Sequence, residues 1–520
     1  MVSCEPRPAL QGSSYAIVLA LAFSLGCDHP TAALLADQSS GLESETPDEL
    51  RGAIDLYVNA RLELLTVATD EQERAETIVP SSLVAELVGR GEFEALFLLA
   101  DESFEAERDR ALGAGSGPGG PRLHPARPAR MQVGELGGLD SSSCRSCHFN
   151  GGPDGSGTGS QSALFRGDGE TLSSATIRDA PHVMGLGYLS LVARGLEAQI
   201  QDAAGLAVAD AVEFDAPQRR RLEVQGVYFG HVTGLPDGSL DTSELTYISP
   251  DLVIRPFGFK GRHATLVELA DEAFQLHHGM QSASRIEVYG DQPLTHLGDG
   301  PSYDPDNDGV ENESSAGQAV LMASYLSMLG TPTIRPPEDP ELVLAWARGR
   351  RLFEAVGCNE CHRSSLRFHG YDAEISALGS DSLHITIDLS EAGIDPIPRA
   401  LDATPDQDGF IPGGVPIFAY TDLRRHDMGA ALAEPRGEAL PDGTDTIPGS
   451  VWQTRSLWGL ADTAPYLHDG RAPTVHDAIV WHGGEGAAAR QNYLDLPVAD
   501  QGAIRVFLMS LTREGAMLVE

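Results

Sequence analysis

Two short stretches, "SCRSCH" at 143–148 and "GCNECH" at 357–362, carry the pattern Cys-x-x-Cys-His, and no other feature restricts this chain's fold as much. Two thiols three positions apart on a helical turn reach the two vinyl groups of one haem and form thioethers. The histidine that follows aims a ring nitrogen at the iron. On this reading Cys144, Cys147, Cys358 and Cys361 attach two c-type haems, and His148 and His362 are the proximal iron ligands. Two chance occurrences of so constrained a pattern, in a chain with six cysteines and sixteen histidines, can be set aside. The competing reading is a zinc site built from the two Cys-x-x-Cys pairs. Against it, the pairs lie in opposite halves of the chain with a proline-rich stretch between them, and each is followed at once by histidine. A thioredoxin-like redox pair would need a strand context that is missing here.

The remaining cysteines point to the same use of the four. Cys4 and Cys27 flank "YAIVLALAFSLG", Tyr15 to Gly26, an apolar run too short to cross a bilayer but long enough for the core of a signal peptide. Gly26 before Cys27 resembles a bacterial lipoprotein processing site, although Ser24 stands where leucine is usual. Residues 1–27 are therefore expected to direct export, to the periplasm or to a lipid anchor at Cys27 facing it. No pair is then left for a structural disulfide in an oxidising compartment. Formal net charge is −40, from 36 basic and 76 acidic residues. That excess argues against nucleic acid or an anionic membrane surface as a partner.

Local signals predict a mainly α fold with long loops. Residues 28–130 read as a helical N-terminal extension and linker. In it "TPDELRGAIDLYVNARLELL" has Thr46 as cap, Pro47 at the first helical position and Glu49 to complete a capping box. "GAGSGPGGPRLHPARPAR", 113–130, reads as loop. Residues 131–335 form the first haem domain, ending in a helix, "SSAGQAVLMASYLSMLG", with Ser315 near its cap. "TPTIRPPEDP", 331–340, marks a boundary, and residues 336–520 form the second haem domain. There "ELVLAWARGRRLFEAVG" is a helix running into the second motif, and "DQGAIRVFLMSL" a short one with Asp500 as cap. Residues 195–250 carry no clear pattern.

Further stretches carry a resemblance. "GRRLFEAVGCNECH", "FAYTDLRRHDMG", "TRSLWGLADTAPYLHDGRAPTVHDAIVWHGGE" and the terminal "AIRVFLMSL" are similar to the bacterial di-haem oxidoreductases often called thiol-oxidoreductase-like proteins. "RDAPHVMGLGYLSLV" and "RPFGFKGRHATLVELADEAF" in the first half agree. This family is related to the di-haem cytochrome c peroxidases and to the enzyme that matures methylamine dehydrogenase. The resemblance, over roughly residues 90 to 515, implies two cytochrome-c-like domains facing one another, one haem in each, and oxidoreductase or peroxidase activity. Its peroxidase relatives place acid/base side chains over the reactive haem, a pair that no motif here locates.

The sixth iron ligands decide what such a chain does, since a strong ligand makes an electron-transfer centre and an open side a reactive one. For the second haem the candidates are Met428 in "HDMG" and, as rival, His426. For the first they are His182 and Met280. Within "PYLHDGRAPTVHDAIVWHGGE", a segment that lines the second haem in the resemblance, Arg471 is a candidate partner for a haem propionate. Thr474 is a helix cap there whatever else the segment does. In "DPDNDGVENE", Asp304, Asp306, Asp308 and Glu313 are spaced as hard oxygen ligands for Ca2+, with Ser315 where an EF-hand has glutamate. The peroxidase relatives hold a calcium between their haem domains. The expectation is a di-haem oxidoreductase that takes electrons from a soluble or membrane-bound donor at the Cys358/Cys361 centre. It passes them to the Cys144/Cys147 centre, where peroxide or another small oxidant is reduced. The alternatives are a non-catalytic electron carrier and an oxidase of a partner protein.

Overall fold

A computed structural model describes residues 79–108, 112–115, 141–158, 177–280, 313–379, 382–392, 413–441 and 443–513, with a few isolated positions between them. All belong to one unit of the chain, Leu62–Glu520. The expected signal segment, the helix at 46–65 and most of the 113–130 loop lie outside the described residues.

Helices α1 (Ser81–Gly89), α2 (Phe93–Glu105), α3 (Leu186–Phe214), α4 (Leu266–Ala273) and α5 (Ala316–Met328) build the first half. Helices α6 (Pro340–Ala355), α7 (Val475–Trp481), α8 (Ala487–Leu494) and α9 (Val498–Leu508) build the second. Every residue of α5 is buried, as expected of a helix apolar on all sides. The Ser315 hydroxyl accepts from the Gln318 N–H, and the Gln318 side chain accepts from the Ser315 N–H, which satisfies its first turn. Around α5 pack α1, α2, α3 and α4. Leu96, Leu99 and Phe104 of α2 are buried, so α1 and α2, which fall within the stretch 28–130, pack into the core around α5.

In the second half α6 and α9 cross at close range, and a Cβ added at Gly349 would run into the Ala503 carbonyl. Phe353, Tyr420, Tyr493, Ile504 and Phe507 form the core around that crossing. Asp339 caps α6, accepting from the Glu341 and Leu342 N–H groups with Pro340 at the first position. The expected cap at Asp500 is not formed. Pro497 precedes α9, and Asp500 lies inside its first turn, paired with Arg348 Nη2 at 2.8 Å.

The loops are less irregular than a mainly α reading supposes. Strands β1 (Gln218–Val224), β2 (Val227–Gly234) and β3 (Leu240–Asp241) form an antiparallel sheet whose buried face, including Leu222, Phe229 and Val232, lies on α3. β4 (Thr333–Ile334) lies in the expected boundary segment. Further on come β5 (Leu366–Phe368), β6 (Asp372–Ser376), β7 (His384–Asp388), β8 (Val415–Ile417), β9 (Arg425–Asp427), β10 (Val451–Gln453) and β11 (Leu511–Thr512). They pair in two-stranded ribbons: β5 with β8, β6 with β7, β9 with β10 and β4 with β11. The last pairing shows that the boundary is no free linker, because Thr333 and Ile334 hydrogen-bond along Thr512 and Leu511.

The two halves are locked together. Arg178 donates to Glu434 Oε2 at 2.9 Å and Glu438 Oε1 at 2.8 Å, all three side chains being nearly buried. Lys260 Nζ donates to the Gly449 and Val451 carbonyls, both at 2.9 Å, and sits over the Trp452 ring. At Gly185, where φ is +73°, a side chain would collide with the Trp458 ring, so the start of α3 can approach the second half only as glycine.

Candidate functional site

Each Cys-x-x-Cys-His motif is wound into a 3-10 turn, Cys144–Ser146 and Cys358–Glu360. In each, the histidine N–H donates back to the first cysteine's carbonyl: His148 to Cys144 at 3.1 Å and His362 to Cys358 at 2.9 Å. The four cysteines are free thiols, not disulfides. That geometry puts both sulfurs and the imidazole of each motif on one short turn, as a covalently attached haem requires.

At the first centre the glycine-rich segment after His148 folds back on itself through a bridge between Asn150 and Ser156. It delivers the Gly155 carbonyl to His148 Nδ1 at 3.3 Å. A Cβ at Gly155 would overlap the Asn150 carbonyl, so this return needs glycine. A carbonyl only accepts, so the proton sits on Nδ1 and the Nε2 lone pair is left for a metal. Burial pushes the His148 pKa down to about 4, the Gly155 and Pro181 carbonyls work against that, and His277 and Arg145 push it further down. The imidazole is therefore neutral at pH 7, the form that ligates.

The second centre repeats the device with a different carbonyl. His362 Nδ1 donates to Tyr420 O at 3.0 Å, and burial, then the neighbouring His482, bring its pKa down to about 4. His482 faces it, with ring centroids 6.4 Å apart. Its own Nδ1 donates to the Ala478 carbonyl at 2.8 Å, and burial lowers its pKa as well. Two neutral imidazoles thus have their Nδ1 protons fixed on backbone carbonyls. Such a pair could hold one metal ion between its rings, since a histidine nitrogen binds a metal at about 2 Å.

The expected sixth ligands fall out differently. Both nitrogens of His426 are engaged, Nε2 with Asp422 Oδ2 at 3.0 Å and Nδ1 with Glu485 Oε2 at 2.9 Å. Burial alone would lower its pKa, but the Asp422 hydrogen bond and the Cys361 sulfur outweigh that and raise it to about 10. A doubly protonated ring has no lone pair for iron. Cys361, Asp422 and His426 do lie together, yet thioether formation at Cys361 leaves that set one ligand short of a metal site. Met428 sits in the shell of His482: a Cβ at Gly486 would be 3.2 Å from Met428 Cε and 3.3 Å from His482 Cβ. Met280 is buried at the end of a π-turn, Phe274–His278, with its N–H on the Phe274 carbonyl. From the same turn His278 Nε2 approaches Cys144 Sγ at 3.6 Å.

His182 is buried beside the first centre. Its Nδ1 has no hydrogen-bond partner, and its contact with the Trp458 backbone therefore runs through Nε2. Burial, then Arg455 and Arg513, bring its pKa down to about 3. A buried, unpartnered ring nitrogen at this place fits a site that receives a cofactor.

Arg471 is exposed and already paired with Asp469 Oδ2 at 2.7 Å and the Ala431 carbonyl at 2.9 Å, its guanidinium over Trp481. Arg455 suits a propionate better. Burial lowers its pKa to about 10, and its hydrogen bond, to the Gly258 carbonyl, is 3.4 Å long. It stands at the start of the stretch that carried the resemblance, where Arg471 was the residue singled out. Asp304, Asp306 and Asp308 lie outside the described residues, and Glu313 is buried against Gly113. Among the described residues no helix is long and apolar enough to cross a membrane.

Residues 411–511 match the family described as "Di-haem oxidoreductase, putative peroxidase". No curated protein sequence matches the chain. Among solved structures it is similar to the hydrazine synthase of Kuenenia stuttgartiensis pressurised with xenon, at 13% identity and a TM-score of 0.30 over 80% of this chain and 87% of that one. It is also similar to a MauG-like protein associated with microbial copper homeostasis, at 16% identity and a TM-score of 0.32 over 81% and 90%.

Proposed function

We propose, from the match of residues 411–511 to the di-haem oxidoreductase family and the two Cys-x-x-Cys-His motifs upstream of it, that this chain reduces a small oxidant such as peroxide with electrons passed between two covalent haems. The haems, when bound, supply the one-electron chemistry. The chain supplies attachment at Cys144, Cys147, Cys358 and Cys361, and proximal ligation by His148 and His362. We assign His482 as the sixth ligand of the second centre. Two histidines saturate an iron, so this centre accepts and passes electrons without binding substrate. We assign Arg455, beside the first centre, to a propionate, and His182 to the face where the oxidant binds. With its proton on the Trp458 side, the bare Nδ1 of His182 is available to accept a hydrogen bond from a bound peroxide.

The observation that carries this reading is the His362–His482 pair at 6.4 Å with both Nδ1 atoms held by carbonyls. It is tested by expressing the chain with a cytochrome maturation system. A pyridine haemochrome assay should give two haems per polypeptide, and one or none overturns the account. In His482→Ala the low-spin ferric signal of the second centre should turn high-spin, and an unchanged paramagnetic resonance spectrum removes His482. A second reading, a carrier without turnover, is favoured by the same bare Nδ1 of His182, which could equally ligate the first iron. A high-spin component in the untreated ferric protein supports the reaction centre. Its absence, with no response to peroxide, supports the carrier.

A further inference from the structure

Next to the first centre, on α5, a tyrosine is enclosed by groups that a packing role does not need. Tyr325 is 1% exposed, and its hydroxyl lies 2.9 Å from Asp101 Oδ1 and 2.8 Å from Asp154 Oδ1. A phenol has one proton and can fill only one of these contacts as donor. The other contact needs a proton from a carboxylic acid. Asp101 also accepts from Arg145, which spans it and Glu105, so Asp101 is the ionised partner. Burial pushes the Asp154 pKa up to about 6, so Asp154 can take up the second proton as pH falls towards that value. With Asp154 protonated, the order is Asp154 O–H to the Tyr325 oxygen, and Tyr325 O–H to the Asp101 carboxylate.

The ring itself is in contact with the haem ligand's surroundings. Phe104 packs on Tyr325 with ring centroids 5.2 Å apart and on His148 at 5.8 Å. Phe97 covers Tyr325 from a further side, at 5.0 Å. A tyrosine is oxidised at accessible potentials only if its proton leaves with the electron, and a phenol in an apolar shell needs a base already in hydrogen-bond contact. Asp101 is such a base, and the Asp154 hydroxyl can stabilise the oxygen left behind.

We propose that Tyr325 is a redox-active residue that gives one electron to the first haem centre by way of Phe104 and His148 while its phenolic proton moves to Asp101. This rests on the reading that the first centre meets an oxidant. With peroxide, two electrons and two protons yield two waters. One electron comes from the donor-reduced haem pair and the other from Tyr325, whose O–H bond breaks to leave a neutral phenoxyl radical and a protonated Asp101. The two protons that peroxide takes up come from solvent. A later electron from the donor, with the proton returned by Asp101, restores the phenol.

The test uses the di-haem protein grown with ordinary and with ring-deuterated tyrosine and frozen after two separate treatments. One is a single equivalent of hydrogen peroxide. The other is a flash-generated ruthenium(III) tris-bipyridine oxidant, which needs no peroxide chemistry. The expected result is an organic-radical resonance that narrows on deuteration and falls at least tenfold in Tyr325→Phe. A radical seen with ruthenium alone supports Tyr325 and overturns the peroxide reading. No narrowing in either treatment, or an undiminished signal in Tyr325→Phe, overturns the assignment whatever peroxide does. Should Tyr325→Phe fail to fold, Asp101→Asn replaces it. Losing the proton acceptor should suppress the radical, and a radical of full yield there is equally fatal.

Discussion

His148 and His362 show how a backbone prepares a side chain for a metal. Each gives its Nδ1 proton to a carbonyl set by a loop, Gly155 in one case and Tyr420 in the other. Neither loop could be inferred from the motif. Gly155 follows closely in sequence, but Tyr420 is far downstream, and so is His482. The two turns that bring each motif's sulfurs and imidazole together follow from the spacing of Cys-x-x-Cys-His itself. The approach of His482 to His362 was not legible, because nothing local ties the two, although His482 stood in a stretch that carried the resemblance. His426 belongs to Asp422 and Glu485. The lowered pKa values also predict acid sensitivity. His148 and His362 titrate at about 4 in the folded chain, below the unfolded value of 6.5. Their contribution to stability is therefore present above pH 6.5 and is lost as pH falls from there through 4, because the unfolded chain binds the protons first. The thermal midpoint of the haem-free chain should drop between pH 7 and pH 4.5. A flat profile over that range would show that these rings are not held neutral.

Among the elements, caps were easier to read than sheets. Thr474 accepts from the Asp477 N–H and Ser315 from the Gln318 N–H, because a short polar side chain before an apolar run has little else to do. The β1–β2 hairpin gave no such signal. Its turn residues Gln225 and Gly226 both have positive φ, 49° and 73°, the geometry of the tight hairpin turns in which asparagine or aspartate usually fills the first place. Its first strand hides an alternating pattern behind three consecutive arginines, Arg219, Arg220 and Arg221. Long α3 was equally obscure, since the residues its second half buries are the small Ala204, Ala207 and Ala211 and not large apolar ones. Where α6 meets α9 the contact is backbone against backbone at Gly349. Gly349→Ala should therefore cost about 1–3 kcal/mol through overpacking, even though alanine favours a helix. Denaturant unfolding of that variant checks it, and a gain in stability would mean that the helices part without cost.

For the whole molecule, the repeated motif and the prolines between suggest two halves, while the extent of contact between them has no signal in the sequence. Arg178 precedes α3, and its partners Glu434 and Glu438 stand in a loop of the other half, a pairing that no sequence spacing announces. Removing the cation would leave Lys260, 3.5 Å from Glu434, as the cation facing two nearly buried carboxylates, so Arg178→Met should lower the unfolding free energy by about 3 kcal/mol. Adding Glu434→Gln and Glu438→Gln should return part of the loss. If Arg178→Met unfolds like the parent protein in urea, the lock is dispensable. The pairing of β4 with β11 bears on how such a protein matures. A chain emerging from its N-terminus must complete everything from residue 335 to residue 510 before that clasp can shut. Until it shuts, the cluster in which Leu511, Ile334 and Cys358 pack stays incomplete, so the order of assembly is written into which strand arrives last.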